Sequence, residues 1–292
     1  VREGFTYTAS TGELKSKYNS RVFQAGQFTV PSVAELRAEL LNNSSSPSSS
    51  SGLSIGHIVA DVKALHFDKS NANAVFQCAS QFNCLEMINP QINPEEGITG
   101  YVSDRTQGPT CAMACPAGTL YRNYFTPAAL MISHEQEQVT ECGQSAHAQV
   151  DTMADMGHVL ENNKHNYWHM QNGYLLPCES DSLLKLRDAG VFEETYVHRQ
   201  HLFEALRVGL HSDTEVVRIP QASAAGDSVP DTKTLHTVTQ VYCSAVPVGY
   251  DKKTPPVAAD GTKRSDLWKP FAQLILDASY DATFALSTWA TL

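Results

Sequence analysis

The polar residues best suited to chemistry fall in one stretch, Asn71 to Phe125. An apolar run, Ala74-Val75-Phe76-Gln77-Cys78-Ala79, ends there in Ser80, Gln81, Asn83 and Glu86. If the run is a strand, these groups stand beyond its carboxyl end, where open α/β sheets bind ligands. Ser80 or Asn83 serves equally well to cap a following helix. Further along, Gln107 and Gly108 open a segment of small residues that reaches Gly118, and Tyr121-Arg122-Asn123-Tyr124-Phe125 follows it. Small residues let backbone approach a ligand closely, and a helix beginning among them offers N–H groups to an anion. Arg122 suits a phosphate or carboxylate. The plainer alternative is a tightly packed helix with an arginine holding a loop. Acid–base work needs a placed carboxylate, and Glu86, Glu95, Glu96 and Asp104 supply candidates. The adjacent Glu95-Glu96 pair reads as a solvated loop. Asn83, Glu86 and Asp104 are therefore the catalytic candidates, and Ser80, Gln81, Asn83, Gln107, Gly108, Arg122 and Asn123 the binding ones.

Two other chemistries compete. Cys111 could act as a nucleophile, with Gln107 four residues before it and His147 or His236 as base. The Gly-Ser-Cys-Trp flank of papain-like enzymes is absent, and apolar neighbours point to buried, unreactive Cys111 and Cys115. For a metal, His165 and His169, or His198 and His201, have spacings that could share a helix face. Neither pair has the further ligands zinc requires, and the first lacks the glutamate of His-Glu-x-x-His. They read as surface histidines, so no metal and no cofactor is expected.

The elements that must position these groups follow from periodicity. Residues 1–30 show little of it and read as an N-terminal arm. Pro31 opens a helix with Val33, Leu36 and Leu40 on one face. Residues 42–51 are nearly pure Ser and Asn, the composition of a flexible loop. Ile55 to Val62 and Ala74 to Ala79 are near-continuous apolar runs, expected as strands covered on both faces. Pro90 to Pro116 is irregular, as functional or disordered loops are. Helices are predicted over Gln144 to Asn162, Ser182 to Ala189 and Glu193 to Leu206, and strands over Leu206 to Ile219 and His236 to Val246, with a loop from Pro220 to Thr234 between them. Leu267, Phe271, Leu274, Ile275, Ala278, Ala282, Phe284 and Leu286 mark an amphipathic helix from Ser265 to Trp289. Strands interleaved with helices predict a three-layer α/β domain over residues 31–292, with a mostly parallel or mixed sheet and helices on both faces.

Composition bounds the partners. Thirty-one acidic residues against 21 basic give a net charge of −10, with no Lys/Arg cluster. That excludes a counterion-releasing grip on duplex nucleic acid and disfavours an anionic membrane surface. No apolar run approaches the roughly 20 residues of a membrane helix, and no signal-peptide core opens the chain. Seven cysteines, an odd number set mostly in apolar stretches, favour a reducing, intracellular location over a disulfide framework.

Several stretches together resemble a family of hypothetical proteins of bacteria and unicellular eukaryotes. They are Phe76-Gln77, Ala79-Ser80-Gln81-Phe82-Asn83, Leu85-Glu86-Met87, Thr106-Gln107-Gly108-Pro109, Tyr121 to Phe125, Asn172-Gly173-Tyr174, Gln240 to Ala245 and Trp268 to Ala272. The family supplies no activity, and its members continue past Leu292 into a Gly-rich stretch. The order of elements also resembles, more distantly, the macro domain, whose fold binds ADP-ribose. That likeness implies Asp61 of Ala60-Asp61 for adenine, Asn83 for the distal ribose and Arg122 for the diphosphate. The Gly of the macro Gly-Asp pair and the Gly-rich diphosphate loop are both missing. The leading expectation is thus binding, with hydrolysis as an extension, of ADP-ribose or a related nucleotide metabolite. The alternatives are a structural subunit of a larger assembly built on a degenerate enzyme fold, with protein partners, and a cysteine hydrolase using Cys111.

Overall fold

The computed structural model describes residues 1–43, 59–133, 138–179, 181–218, 233–244 and 257–289. The chain opens not as an arm but as structure. Strands β1 (Phe5–Thr8), β2 (Glu13–Ser16) and β3 (Val22–Gln24) form an antiparallel sheet, and β4 (Gln27–Thr29) enters the main sheet. Only Leu14 and Ser16 of the small sheet are fully buried. With alternation confined to strands of three or four residues, no periodic signal could build up along the sequence.

Helix α1 (Val33–Asn43) follows as expected, with Val33 and Leu36 buried. It has a capping box, in which Glu35 N–H donates to Ser32 Oγ and Ser32 N–H to Glu35 Oε2. The rest of the Ser-rich stretch lies outside the described residues, as does most of the strand expected over Ile55 to Val62. Its described end is not a strand. Val62 begins helix α2 (Val62–Phe67), and the Asp61 carboxylate caps it by accepting from Lys63 N–H at 2.7 Å and Ala64 N–H at 3.1 Å.

Strand β5 (Val75–Ser80) lies where predicted. The irregular stretch after it holds two 3-10 turns, Pro94–Glu96 and Thr99–Val102, and then two helices, α3 (Gln107–Ala114) and α4 (Pro116–Tyr124), broken at Cys115. Pro116 stands at the first turn of α4, where its missing N–H costs nothing. Two short strands, β6 (Ile132–Ser133) and β7 (Ala148–Gln149), pair with each other.

The helix predicted over Gln144 to Asn162 is largely replaced. Strand β7 occupies its start, and α5 (Ala154–Val159) forms only after Asp151 accepts from Met153 N–H at 2.8 Å. Then come α6 (Asn162–His165), the hairpin β8 (Trp168–Gln171) and β9 (Tyr174–Pro177), α7 (Ser182–Asp188), and α8 (Arg199–Ala205). Residues 193–198, expected as the start of α8, are a series of hydrogen-bonded turns. Strands β10 (Gly209–Arg218) and β11 (Lys233–Ser244) and the long helix α9 (Arg264–Trp289) complete the chain near their predicted bounds. The loop between β10 and β11 lies outside the described residues.

The main sheet has the order β4-β10-β11-β5. It is mixed rather than mostly parallel: β4 and β11 both run antiparallel to β10, and only β11 and β5 are parallel. Alternation along β11 sends Val241 and Cys243 into a core with α1, α5, α7, α8 and α9. Tyr242 points the other way, among Cys78, Cys84, Cys111, Ala117 and Tyr121. The predicted stripe on α9 is that core's floor: Leu267, Phe271, Leu274, Ile275, Ala278, Ala282 and Leu286 are all buried. Fully burying one such large apolar side chain stabilises the fold by about 1.5–3 kcal/mol. The stripe therefore fixes α9 despite Pro270, which removes one helix hydrogen bond.

Candidate functional site

The carboxyl end of β5 runs straight into a buried network of side-chain amides. Asn83 is fully buried; its Oδ1 accepts from Leu85 N–H at 3.1 Å and its Nδ2 donates to Gln149 Oε1 at 2.9 Å. Gln149 Nε2 in turn donates to the Ser145 carbonyl and to Asn172 Oδ1, both at 2.9 Å, and Asn172 Nδ2 donates to the Pro90 carbonyl at 2.8 Å. Gln144 closes the network. Its Nε2 donates to the carbonyls of Asn83 and Arg122 at 3.0 Å each, while its Oε1 accepts from Val150 N–H. These amides are where the predicted helix from Gln144 went: their backbone neighbours bond to side chains instead of to one another. Gly173 has φ +77°, and a Cβ there would stand 2.4 Å from Asn83 Oδ1, so only glycine fits this turn.

Arg122 lies beside this network, fully buried. It donates to the Cys84 carbonyl at 3.3 Å, to His211 Nδ1 and to Thr119 Oγ1 at 3.2 Å each, and its guanidinium carbon sits 3.7 Å from the centroid of the Tyr242 ring. Burial, and then the Arg122 charge, push the His211 imidazole well below its ordinary pKa, so it is the neutral acceptor this contact requires. Glu86 is the acid whose ionisation that same charge favours. Burial nonetheless outweighs the help and holds the Glu86 carboxyl well above the usual carboxylate range. Its Oε1 has no hydrogen-bond partner among the described residues.

The remaining predicted residues are placed as follows. A Cβ at Gly108 would stand 2.2 Å from Glu86 Oε2, so the small residue lets α3 close over that carboxyl. Gly118 does the same for α4, where a Cβ would meet Thr214 Oγ1 at 2.5 Å. The small residues of this segment thus serve close packing against the sheet. Gln107 lies along the free edge of β5, accepting from Ala79 N–H at 2.7 Å and donating to the Gln77 carbonyl at 3.0 Å, and so occupies backbone groups an edge strand leaves open. Asp104 accepts from Thr106 N–H and Oγ1, which holds its carboxyl below the usual range. Asn123 donates to the Pro94 carbonyl at 3.0 Å, and Gln81 accepts from Met87 N–H. Ser80 is buried, its Oγ without a partner among the described residues. Asp61 is exposed, and its described hydrogen bonds are those of the α2 cap. Cys111 is fully buried. His165 and His169 do not share a helix face, one ending α6 and the other lying in β8.

Asn83, Gln81, Glu86, Arg122 and Asn123 are thus brought together, but as interior support. The open space lies next to them. A cleft of about 620 Å³ is lined by Arg2, Glu95, Tyr124, Gln144, Ser145 and His147, among others. Of the residues weighed from the sequence, Glu95 and His147 line it; none of the binding and catalytic candidates finally chosen there does. Its link to them is Gln144, one face in the cleft and its amide on Asn83 and Arg122. Glu95 is fixed from both sides: its N–H donates to Asn93 Oδ1 and its Oε2 accepts from Ala146 N–H at 3.2 Å. Arg2 Nε donates to the Tyr124 carbonyl at 3.2 Å and Nη1 faces Glu141 at 3.4 Å. Sequence reasoning missed Gln144 and Gln149, which carry no motif, and gave no role to Asn172, which stood only in the Asn172-Gly173-Tyr174 stretch of the family resemblance. Comparison with family models, with curated proteins and with solved structures finds no match to this chain. Among the described residues, no helix is long and apolar enough to cross a membrane.

Proposed function

We propose that this chain binds an ADP-ribose-like nucleotide metabolite in the cleft lined by Arg2, Glu95, Tyr124 and Gln144. One observation carries the reading: a cleft of about 620 Å³, within the size range of small-molecule sites, has a wall held rigid from behind by the Asn83–Gln149–Gln144 amides. Arg2 offers a phosphate a guanidinium now shared with exposed Glu141, Tyr124 a ring edge, and Glu95 a carboxylate for sugar hydroxyls. The ligand class is the one the macro-domain likeness implies, and the residue roles differ. Asn83 and Arg122 support the site from within, and Asp61 caps a helix. Calorimetry on the purified chain tests this. ADP-ribose should give saturable heat that Glu95→Gln and His147→Ala weaken and Asp61→Ala leaves unchanged. Absence of heat at millimolar ligand would sink the proposal.

A structural subunit is favoured by a different observation, that Asn83, Gln107 and Arg122 spend their polar groups on the chain itself. Its mark is an obligate assembly on native size exclusion, with no response to ADP-ribose.

A further inference from the structure

Three side chains away from the cleft meet inside the molecule. His66 of α2, Cys78 of β5 and Cys111 of α3 are all buried, and their potential ligand atoms lie within 4.8 Å of one another. Five of the seven cysteines are buried, and among the described residues these two and His66 form the one group of three His, Cys, Asp or Glu side chains whose ligand atoms lie so close.

The histidine is already oriented. His66 Nδ1 lies 2.8 Å from the Val62 carbonyl, one helical turn back, so Nδ1 carries the proton and Nε2 the lone pair. Gln240 fits that tautomer. Its Nε2 donates to His66 Nε2 at 3.1 Å and to the Cys111 carbonyl at 2.9 Å, while its Oε1 accepts from the Tyr242 hydroxyl at 2.6 Å. Turning the amide round would set its oxygen against the Cys111 carbonyl. The ring is also stacked on Phe76 with centroids 3.8 Å apart. An imidazole with one nitrogen tied to a backbone carbonyl and a lone pair on the other is the disposition that metal-binding histidines take.

We propose that His66, Cys78 and Cys111 form a binding site for a thiophilic d10 cation, and that Cu+ is the ion it suits. Two sulfurs and one imidazole make a soft, three-coordinate set, whereas Zn2+ normally requires a fourth ligand. As the cation binds, each thiol releases its proton to solvent and each sulfur donates a lone pair; no electron changes hands. Two thiolates and Cu+ carry one net negative charge. Arg122, whose guanidinium carbon lies 3.7 Å from the ring of Tyr242, a neighbour of both cysteines in one core cluster, balances it. Zn2+ in the same set would leave that guanidinium uncompensated. The cation takes the place of the Gln240 amide hydrogen that now occupies the His66 Nε2 lone pair, while Gln240 keeps its bond to the Cys111 carbonyl.

The test uses the full chain carrying Cys142→Ser and Cys178→Ser, which removes the exposed thiols. It is loaded anaerobically with Cu+ or with Zn2+, both as folded protein and during refolding, then challenged with a chromophoric chelator for each ion. One Cu+ per chain should be retained, and X-ray absorption should show two sulfur neighbours and one nitrogen. Cys78→Ala, Cys111→Ala and His66→Phe should each weaken retention by at least about a hundredfold, since even outer-shell changes cost 10–100-fold. Because absorption is read on protein with its three ligands intact, a variant that fails to fold does not decide the matter. Retention without sulfur neighbours, or loss of both ions to the chelators, would overturn the site. Retention of Zn2+ in preference to Cu+ would overturn the choice of ion.

Discussion

Replacing Arg122 by methionine tests whether this residue belongs to the interior or to a ligand. The substitution keeps the length of the side chain and removes the charge and the donors. Three acceptors then lose their partner: the Cys84 carbonyl, Thr119 Oγ1 and His211 Nδ1. A buried acceptor left unpaired costs about 1–3 kcal/mol, and loss of the stack on Tyr242 adds about 2 kcal/mol. Against this, the fold no longer has to desolvate a guanidinium, which returns several kcal/mol. The net expectation is a loss of about 3 kcal/mol in urea unfolding, at the low end of what breaking a buried charged contact costs. A second substitution sharpens the measurement. Arg122 partly offsets the cost of ionising Glu86, so Arg122→Met should be more damaging at pH above the raised Glu86 pKa than below it. That excess should vanish in a Glu86→Gln background, giving a coupling of at least about 0.5 kcal/mol. A variant within about 0.5 kcal/mol of the parent, or one whose effects simply add, would refute the interior role and return Arg122 to the list of ligand contacts.

Two further outcomes follow from burial. Glu86 has a folded-state pKa raised from an ordinary 4.5, so between those values the folded chain holds more protons than the unfolded one. Stability is full below the ordinary value and falls as pH rises toward the raised one, by up to about 1.4 kcal/mol per pH unit. Glu86→Gln should flatten that part of the urea-midpoint profile, and an unchanged slope would mean the carboxyl is solvated. With iodoacetamide at neutral pH, mass spectrometry should find Cys142 and Cys178 alkylated and the five buried thiols protected until urea is added. Early labelling of Cys111 would instead favour a reactive cysteine.

How much was legible beforehand varied with the physics of each element. The α9 stripe was plain because one helix buries one face against one core, and a repeat near 3.6 residues records that directly. Strand β5 was readable as an apolar run, and β10 and β11 as strand-like runs. The small N-terminal sheet was not, because strands of three or four residues buried on one side leave almost no periodic trace. Gln144 to Asn162 misled for another reason: Gln144, Gln149 and Asp151 bond to backbone, and that competition is invisible to a propensity count. Asp61 looked like the end of a strand because Asp61 and Val62 follow an apolar run, whereas the carboxylate marks a helix start.

By itself the sequence determined the α/β character of the chain, its acidic surface, and the gathering of polar groups between Asn71 and Phe125. These follow from local composition and period, which act at short range along the chain. Only tertiary structure decided what those groups do. Whether Arg122 meets a ligand or Tyr242, whether Gln107 faces a cleft or a strand edge, and whether His66 finds Cys78 and Cys111 all depend on contacts between residues far apart in sequence. Hydrogen bonds and coordination act over about 3 Å, so their partners are chosen by folding and not by spacing.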